Sequence, residues 1–260
     1  MNNYNQQYDF PIKISQIKAG DILIPGRYAV IRIDTNEPLG IISDKYQLVL
    51  HKLVINSFRQ ALIKAKMKFQ EEVLLSNNGA YLNAKYDFLD RREEIVKGDY
   101  ISMRIWLENS YDTTTSIKFT LGALRFACTN GLVVAERFTS YSQRHTRQVL
   151  VKQMTNEIAT LSNYFNRTVV HKMRKMSQIK VPKETSEKNF HKYEDNKTYP
   201  LWLIQVAKEK YQKEQKTVWE YYNSFIYAIR YSSSRIRIKS QIGYSKKAWN
   251  EAIKLTRSLN

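Results

Sequence analysis

The chain contains, at residues 72–84, the sequence EVLLSNNGAYLNA. Two short stretches rich in apolar residues flank the pair Asn78-Gly79. An Asn-Gly pair supplies the positive φ angles of a type I′ turn, which joins two adjacent antiparallel strands. This stretch therefore predicts a β-hairpin, and with it an antiparallel sheet in the N-terminal half of the chain.

The sequence around this hairpin predicts more of the same architecture. Residues 27–34 (RYAVIRID) and residues 39–43 (LGIIS) flank a polar turn, which predicts a second hairpin. Two further strands are predicted at residues 100–108 and 116–126. One amphipathic helix is predicted at residues 51–67, because its apolar side chains recur every three or four positions.

The C-terminal half of the chain has the periodicity of helices instead. Residues 142–181 contain neither Pro nor Gly, and apolar side chains recur every three or four residues, so one long helix is predicted to end before Pro182. The polar stretch KETSEKNFHKYEDNKT, residues 183–198, is predicted to be a linker or mobile loop. Shorter helices are predicted at residues 201–213, 217–231 and 246–259.

These elements together predict an α+β fold. The prediction combines an antiparallel sheet of hairpins in the N-terminal half with a long helix and a helical C-terminal half. We expect one domain over residues 1–260, with mainly β-hairpins and one helix at 24–135 and mainly helices at 142–260.

Positive charge is concentrated in the second half of the chain. The protein has 42 Lys+Arg and 24 Asp+Glu, a net charge of +18. Residues 1–130 contain 17 basic and 14 acidic side chains, whereas residues 131–260 contain 25 and 10. A nearly neutral half joined to a strongly cationic half predicts a scaffold with a surface for a polyanion.

Several classes of protein are disfavoured by the sequence. The single cysteine, Cys128, excludes an intrachain disulfide and a cysteine-rich metal site, and it fits a reducing compartment. The first residues contain no apolar stretch typical of a secretory signal, and no apolar run approaches the length of a membrane span. We therefore expect a cytoplasmic protein without a membrane partner.

Signatures of catalysis are weak. No histidine lies in a metal-ligand spacing, and phosphate-loop and nucleophile-elbow motifs do not occur. Glu108 and Asp112 flank a polar turn that could hold a divalent cation for nuclease chemistry. The interpretation that the sequence favours is a turn whose side chains cap their own backbone. We therefore predict no catalytic residue, no metal and no cofactor, and a protein that is not an enzyme.

The basic residues of the second half predict a nucleic-acid interface. Cations on the long helix lie opposite its apolar stripe, and residues 235–239 (RIRIK) would form an extended row of cations or, alternatively, a charge-guarded edge strand. The 18 tyrosines suit base stacking, although an AT-rich genome also enriches tyrosine. The predicted interface comprises Arg137, Arg144, Arg147, Lys152, Arg167, His171, Arg174, Lys175, Tyr231, Arg235, Arg237, Lys239 and Tyr244.

Four stretches, in order along the chain, resemble the phage/plasmid-like domain-of-unknown-function family 932. They are residues 25–47 (PGRYAVIRIDTNEPLGIISDKYQ), 109–112 (NSYD), 124–133 (LRFACTNGLV) and 217–226 (TVWEYYNSFI). The resemblance implies a protein of a mobile genetic element and supplies no mechanism. Tyr111 stands where that family often has histidine, so proton-transfer chemistry by such a histidine would be absent here.

The charge and the resemblance lead to one functional hypothesis and two alternatives. We expect a phage- or plasmid-encoded protein that binds single-stranded DNA in replication or recombination, as in strand protection or annealing. By analogy, annealing predicts a homo-oligomer. The alternatives are an interaction protein that inhibits a host defence or nucleic-acid enzyme, and a metal-dependent nuclease that uses Glu108 and Asp112.

Overall fold

The structure is a computed structural model that describes most of the chain. It covers residues 7–126, 136–141, 147–214, 217–231 and 238–260. For residues 136–141, 147–151, 214, 238, 239 and 242 it describes the backbone only.

A three-stranded antiparallel sheet contains the hairpin that was predicted at residues 27–43. Its strands are β1 (Ile12–Ala19), β2 (Ile22–Arg32) and β3 (Pro38–Ser43), in the order β1-β2-β3. β1 was not predicted, because a register shift between Gln16 and Lys18 interrupts the alternation of its side chains. Val30 lies opposite Gly40, and its buried side chain packs with Leu39 and Ile42 beneath the sheet.

A five-stranded sheet forms the larger β-structure, in the order β4-β5-β6-β7-β8. Its strands are β4 (Gln70–Ser76), β5 (Tyr81–Val96), β6 (Asp99–Ser110), β7 (Ile117–Arg125) and β8 (Glu136–Tyr141). β4 and β5 form the hairpin predicted at residues 72–84. Its turn is wider than type I′, because Asn77 as well as Asn78 and Gly79 has positive φ and Ser76 pairs with Tyr81.

The two faces of the five-stranded sheet differ in chemistry. Helix α1 (His51–Lys64) lies against the apolar face, where the ring of Phe58 contacts Tyr86 and Phe119 at centroid distances of 4.5 and 5.4 Å. The other face carries polar side chains that are also buried, including Asp87 and Arg104, which form an ion pair. Burial of both faces explains why the strands show little alternation of apolar and polar residues.

The long helix of the second half is present, with an irregularity in its middle. It comprises α2 (Arg147–Tyr164), a π turn (Phe165–Val169) and α3 (Val170–Gln178). The buried residues Leu161, Phe165, Val169 and Met173 follow one another at spacings of four. Three such spacings exceed the 3.6-residue repeat by about one residue, which is what a π turn absorbs.

Two predictions about the C-terminal half were wrong. Residues 183–198, predicted to be a loop, contain helix α4 (Lys183–Asp195), because Ser186, Phe190 and Tyr193 recur at helical spacing and are buried. At residues 238 and 239 the predicted extended segment 235–239 is instead the start of helix α7 (Ile238–Ser258), which begins eight residues earlier than expected. Residues 235–237 of that prediction lie outside the described residues. The predicted helices at 201–213 and 217–231 correspond to α5 (Leu201–Glu214) and α6 (Val218–Tyr231).

The described residues thus confirm the α+β fold, with antiparallel sheets in the N-terminal half and six helices after them. The chain divides into two compact units built from discontinuous segments. The first unit comprises Met1–Leu89, Arg104–Thr120 and Arg137–Leu161; the second comprises Asp90–Met103, Leu121–Glu136 and Ser162–Asn260. A single domain stays a prediction. Among the described helices, none combines the length and the apolar character of a membrane span.

Half of the tyrosines described in the second unit belong to its core. Tyr193, Tyr199, Tyr211, Tyr221 and Tyr222 are buried together with Phe190 and Phe225. Their rings include edge and tilted contacts, such as Tyr211 against Tyr221 at 5.2 Å. Abundant tyrosine therefore serves the helical core as well as the surface, and the buried rings are not placed to stack on bases.

Candidate functional site

The polar turn at residues 109–115 folds back on itself. The Asp112 carboxylate accepts a hydrogen bond from the Thr114 backbone N–H at 3.0 Å, and the Ser110 hydroxyl donates to the Thr115 carbonyl at 2.9 Å. Burial raises the pKa of Asp112, but the hydrogen bonds from Thr114 outweigh it and hold the pKa below its ordinary value. The interpretation of this segment as a self-capping turn is confirmed for Ser110 and Asp112, whereas the Asn109 side chain bonds outside the turn.

Glu108 belongs to a different network from Asp112. Its buried carboxylate accepts a hydrogen bond from the Tyr81 hydroxyl and pairs with the Lys118 ammonium at 2.7 Å. Burial and the Glu108 carboxylate together raise the pKa of Tyr81 above its ordinary value, so the phenol stays a donor. In the part of the chain that the structure describes, no group of three or more His, Cys, Asp or Glu side chains is placed to hold a metal ion.

His51, which the sequence did not predict as a site residue, lies beside the turn. His51 is fully buried, and its Nδ1 lies 2.9 Å from Asn109 Nδ2, which also donates to the Val49 carbonyl. The amide nitrogen only donates, so Nδ1 is the acceptor and Nε2 carries the proton toward the Gly79 carbonyl at 3.0 Å. Burial lowers the pKa of His51 to about 4, which keeps the ring neutral near pH 7.

Tyr111 connects the turn to the first helix. Its hydroxyl accepts the backbone N–H of His51 at 2.8 Å, and its own N–H donates to the Ala80 carbonyl at 2.7 Å. The N–H groups in the first turn of a helix have no partner within the helix, and Leu50 at the N-cap supplies no side-chain bond. Tyr111 thus caps α1 from a distant segment, which is a structural role.

Two glycines let the segments of this region approach closely. A Cβ added at Gly40 would lie 2.5 Å from the Asp112 Cα, and one at Gly79 would lie 2.8 Å from the Phe10 ring. Separations under about 3 Å do not occur between non-bonded carbons without displacement. The hairpin at residues 25–47 and the turn at 109–112, far apart in sequence, therefore meet in the first unit.

The predicted cationic face of the long helix is exposed. Arg167, His171 and Lys175 follow one another at spacings of four and face solvent, while Val169, Met173 and Met176 are buried. The π turn and α3 contain no acidic residue. Lys152, on α2, is exposed as well. Repulsion between Arg167 and Lys175 therefore has no acidic counterpart within the π turn and α3, whereas α2 contains Glu157.

Arg174, the remaining predicted cation of this helix, is partly engaged. Its guanidinium donates to the Glu93 carboxylate and to the Glu94 carbonyl, both at 3.0 Å. Half of its side chain stays exposed. Arg174 therefore contributes less unpaired charge than Arg167 does.

The sequence did not predict a basic depression that lies between α3 and α7. Its volume is about 550 Å³, and four cations line it: Lys172, Lys247, Lys254 and Arg257. Lys247, Lys254 and Arg257 are seven and three residues apart, so they lie on one face of α7. The acidic residue in the wall, Glu251, pairs with Lys254 at 2.7 Å.

A second depression adjoins the basic one. Tyr199, Pro200, Leu201 and Tyr244 line it, and Thr198 and Lys247 line both depressions. The Lys247 ammonium lies 5.8 Å from the centroid of the Tyr244 ring and donates to the Thr198 carbonyl at 3.2 Å. The predicted residue Tyr244 therefore lies beside cations that the sequence prediction had not included.

Tyr231, the other predicted stacking residue, is 71% exposed at the end of α6. Its ring is nearly parallel to that of Tyr227, with centroids 5.9 Å apart, and the Lys210 ammonium lies 5.1 Å from the Tyr227 centroid. Predicted residues outside the described residues, or described without side chains, are Arg137, Arg144, Arg147, Arg235, Arg237 and Lys239; Cys128 is also outside. Lys239 lies in α7, which removes the predicted alternation at that position.

Comparison with known proteins identifies the family but not a function. Neither the curated proteins nor the solved structures gave a match to this chain. The family model described as Domain of unknown function (DUF932) matches residues 38–249, which is most of the chain. The matched range includes the turn at Asn109–Asp112, the second depression, and the residues of the basic depression as far as Trp249. The protein therefore belongs to the DUF932 family.

Proposed function

We propose that this protein binds single-stranded DNA through its second unit. One observation carries the proposal, which is the convergence of Lys172, Lys247, Lys254 and Arg257 on one depression. Arg167 and Lys175, which lie with His171 in one exposed row, add positive charge on the same unit.

Electrostatics favours a polyanion at this surface. Cations that share a depression repel one another, and Glu251 offsets one of the four. Phosphate groups at this depression would reduce the repulsion and release condensed counterions, which is the main source of affinity for a nucleic-acid backbone. Contact with four phosphates of a single strand predicts a salt slope of about −3, or a loss of about 50-fold in affinity between 50 and 200 mM salt.

The biological setting follows from the same proposal. We infer a phage- or plasmid-encoded protein of the host cytoplasm that protects or anneals single strands during replication or recombination. The resemblance of residues 25–47, 109–112, 124–133 and 217–226 to a phage/plasmid-like family supports that origin. Annealing of two strands would bring several copies of the protein together, so a homo-oligomer belongs to the proposal.

Fluorescence anisotropy with labelled oligo-dT over a range of salt concentrations tests the proposal. Replacing Lys254 and Arg257 by Gln is expected to weaken binding about tenfold and to reduce the salt slope by about 1.4. A matched control is Lys183→Gln, because Lys183 is an exposed helical lysine that also has a glutamate neighbour, Glu187.

The two outcomes of this titration are distinct. Strong, salt-sensitive binding that depends on Lys254 and Arg257 but not on Lys183 supports the proposal. Absence of oligo-dT binding at about 50 mM salt, where backbone contacts are strong, would refute it. Equal losses in the double variant and in the control would show that the basic depression is not the binding surface.

A further inference from the structure

We propose that the depression beside Tyr244 holds an unpaired base of the bound strand, so that the protein prefers single strands to duplexes. This inference rests on the proposed function and names the feature of the nucleic acid that the second unit would recognise. The basic depression supplies contacts to the backbone, whereas this second depression supplies a contact to a base.

The chemistry of the second depression suits a flat aromatic ring. Tyr199, Pro200, Leu201 and Tyr244 form its wall, and the Tyr199 and Tyr244 rings lie 5.9 Å apart with planes inclined at 51°. Leu201 is 62% exposed, which is high for a leucine in a concave wall. The second depression has a volume of about 440 Å³, which lies within the range of ligand sites, about 300–1,000 Å³.

The position of this depression links it to the backbone contacts. Thr198 and Lys247 line both depressions, so a base in one and its phosphate in the other would be neighbours on the strand. Lys197 is a second cation, besides Lys247, in the lining of this depression. The acidic residue in the lining is Glu194, and its Oε2 lies 3.3 Å from His191 Nδ1. Charge complementarity therefore points to a nucleotide, with an aromatic ring and an anionic group, as the occupant.

Recognition of a single strand follows from this geometry. In a duplex both faces of a base are covered by its neighbours, so only an unpaired base can turn into a depression of this kind. A stacked base contributes a gain in affinity of about fivefold to 150-fold. The backbone contacts alone give no such preference, because both kinds of nucleic acid present phosphates.

A strand without bases separates the two contributions. Anisotropy titrations would compare oligo-dT with a strand of the same length built from abasic tetrahydrofuran nucleotides. The protein is expected to bind oligo-dT at least fivefold more tightly. Tyr244→Leu is expected to remove most of that difference while leaving the affinity for the abasic strand and the salt slope unchanged.

A second variant tests the base site at a position where the substitution is not expected to unfold the protein. Leu201→Ser replaces an exposed side chain, so it is expected to leave the thermal transition unchanged and still reduce the preference for oligo-dT. Tyr100→Leu, at a partly exposed tyrosine on β6, is the control and is expected to keep the full preference.

The result that overturns this inference differs from the one that overturns the proposed function. Equal affinity of the protein for oligo-dT and for the abasic strand, with a steep salt slope, would refute the base site and leave backbone binding intact. Equal loss of both affinities in Tyr244→Leu would also refute it. Absence of binding to either strand would refute the proposed function.

Discussion

The imidazole of His51 is stacked on the phenol ring of Tyr111, with ring centroids 3.8 Å apart and planes inclined at 16°. The contact joins the first residue of α1 to the turn that follows β6. The same tyrosine accepts the His51 backbone N–H, so one side chain provides both an aromatic contact and a helix cap. Tyr111 therefore stabilises the fold through both contacts with the first residue of α1.

Removing the hydroxyl of Tyr111 is expected to destabilise the first unit. Tyr111→Phe keeps the stacked ring but leaves the buried His51 N–H without its acceptor, which costs about 1–3 kcal/mol. Urea unfolding would measure the loss. The matched control is Tyr199→Phe, because the Tyr199 hydroxyl is buried without a hydrogen-bond partner among the described residues, and it is expected to be neutral or stabilising. Equal effects of the two substitutions would contradict the capping role.

Acid is expected to weaken the fold through His51. Its pKa is about 4 in the folded protein and about 6.5 in an unfolded chain, so between these values the unfolded state binds the extra proton. The contribution of His51 to the free energy of unfolding is then fully present above about pH 6.5. It falls as the pH is lowered toward about 4, with a maximum slope of about 1.4 kcal/mol per pH unit. Urea midpoints of the wild type and of His51→Gln across this range would isolate the effect. Parallel profiles for the two proteins would exclude it.

Gly40 is expected to tolerate no side chain. In Gly40→Ala the new Cβ would meet the Asp112 backbone at 2.5 Å, which forces the hairpin and the turn apart. Overpacking of this kind costs about 1–3 kcal/mol or more. Gly243→Ala is the control, because Gly243 lies inside α7 with open space around it, and alanine there is expected to stabilise the helix by about 1 kcal/mol. Thermal unfolding of both variants would show opposite shifts.

A buried carboxylate is expected to be the most sensitive charged position of the second unit. Asp99 accepts hydrogen bonds from Arg125 at 2.7 Å and from the Trp219 indole at 2.8 Å. Asp99→Asn removes the buried carboxylate charge that pairs with the mostly buried Arg125 guanidinium, and disruption of a buried pair in this way costs about 3–5 kcal/mol. Asp34→Asn, in the exposed pair with Arg32, is the comparison and should leave the urea midpoint almost unchanged. A small loss at Asp99 would mean that water replaces the pair.

Periodicity in the sequence predicted the elements whose side chains face one core. Helix α1 and the long helix were found in this way, whereas the hairpins were predicted from their turn residues and the apolar stretches beside them. The spacings of four from Leu161 to Met173 also contained the signal for the π turn. Helix α4 was missed because charged residues dominate its composition, although Phe190 and Tyr193 carry its buried face. At this segment the polar composition favoured a loop, whereas the spacing of the buried residues favoured the helix that the structure contains.

The candidate site was only partly predictable, for a reason of geometry. A helical wheel places Arg167, His171 and Arg174 opposite the apolar stripe of the long helix, because that relationship is local. The convergence of Lys172 with Lys254 and Arg257 depends on how α3 and α7 pack, and no local pattern encodes it. The spacing of the cations along α7 was the available signal in the sequence. It indicates that these cations share one face of α7, but it does not identify the helix that packs beside that face.

Two arginines of the long helix are expected to differ in their contribution to nucleic-acid binding. Arg167 is exposed on the π turn, whereas the Arg174 guanidinium is already bonded to Glu93 and to the Glu94 carbonyl. Glu93 offsets the charge of Arg174 and occupies part of its guanidinium, so Arg174→Gln should reduce the affinity for oligo-dT less than Arg167→Gln does. The comparison is made at equal, low salt, where each phosphate contact contributes most. If Arg174→Gln has the larger effect, the Glu93 contact breaks on binding and Arg174 is the main cation of this face.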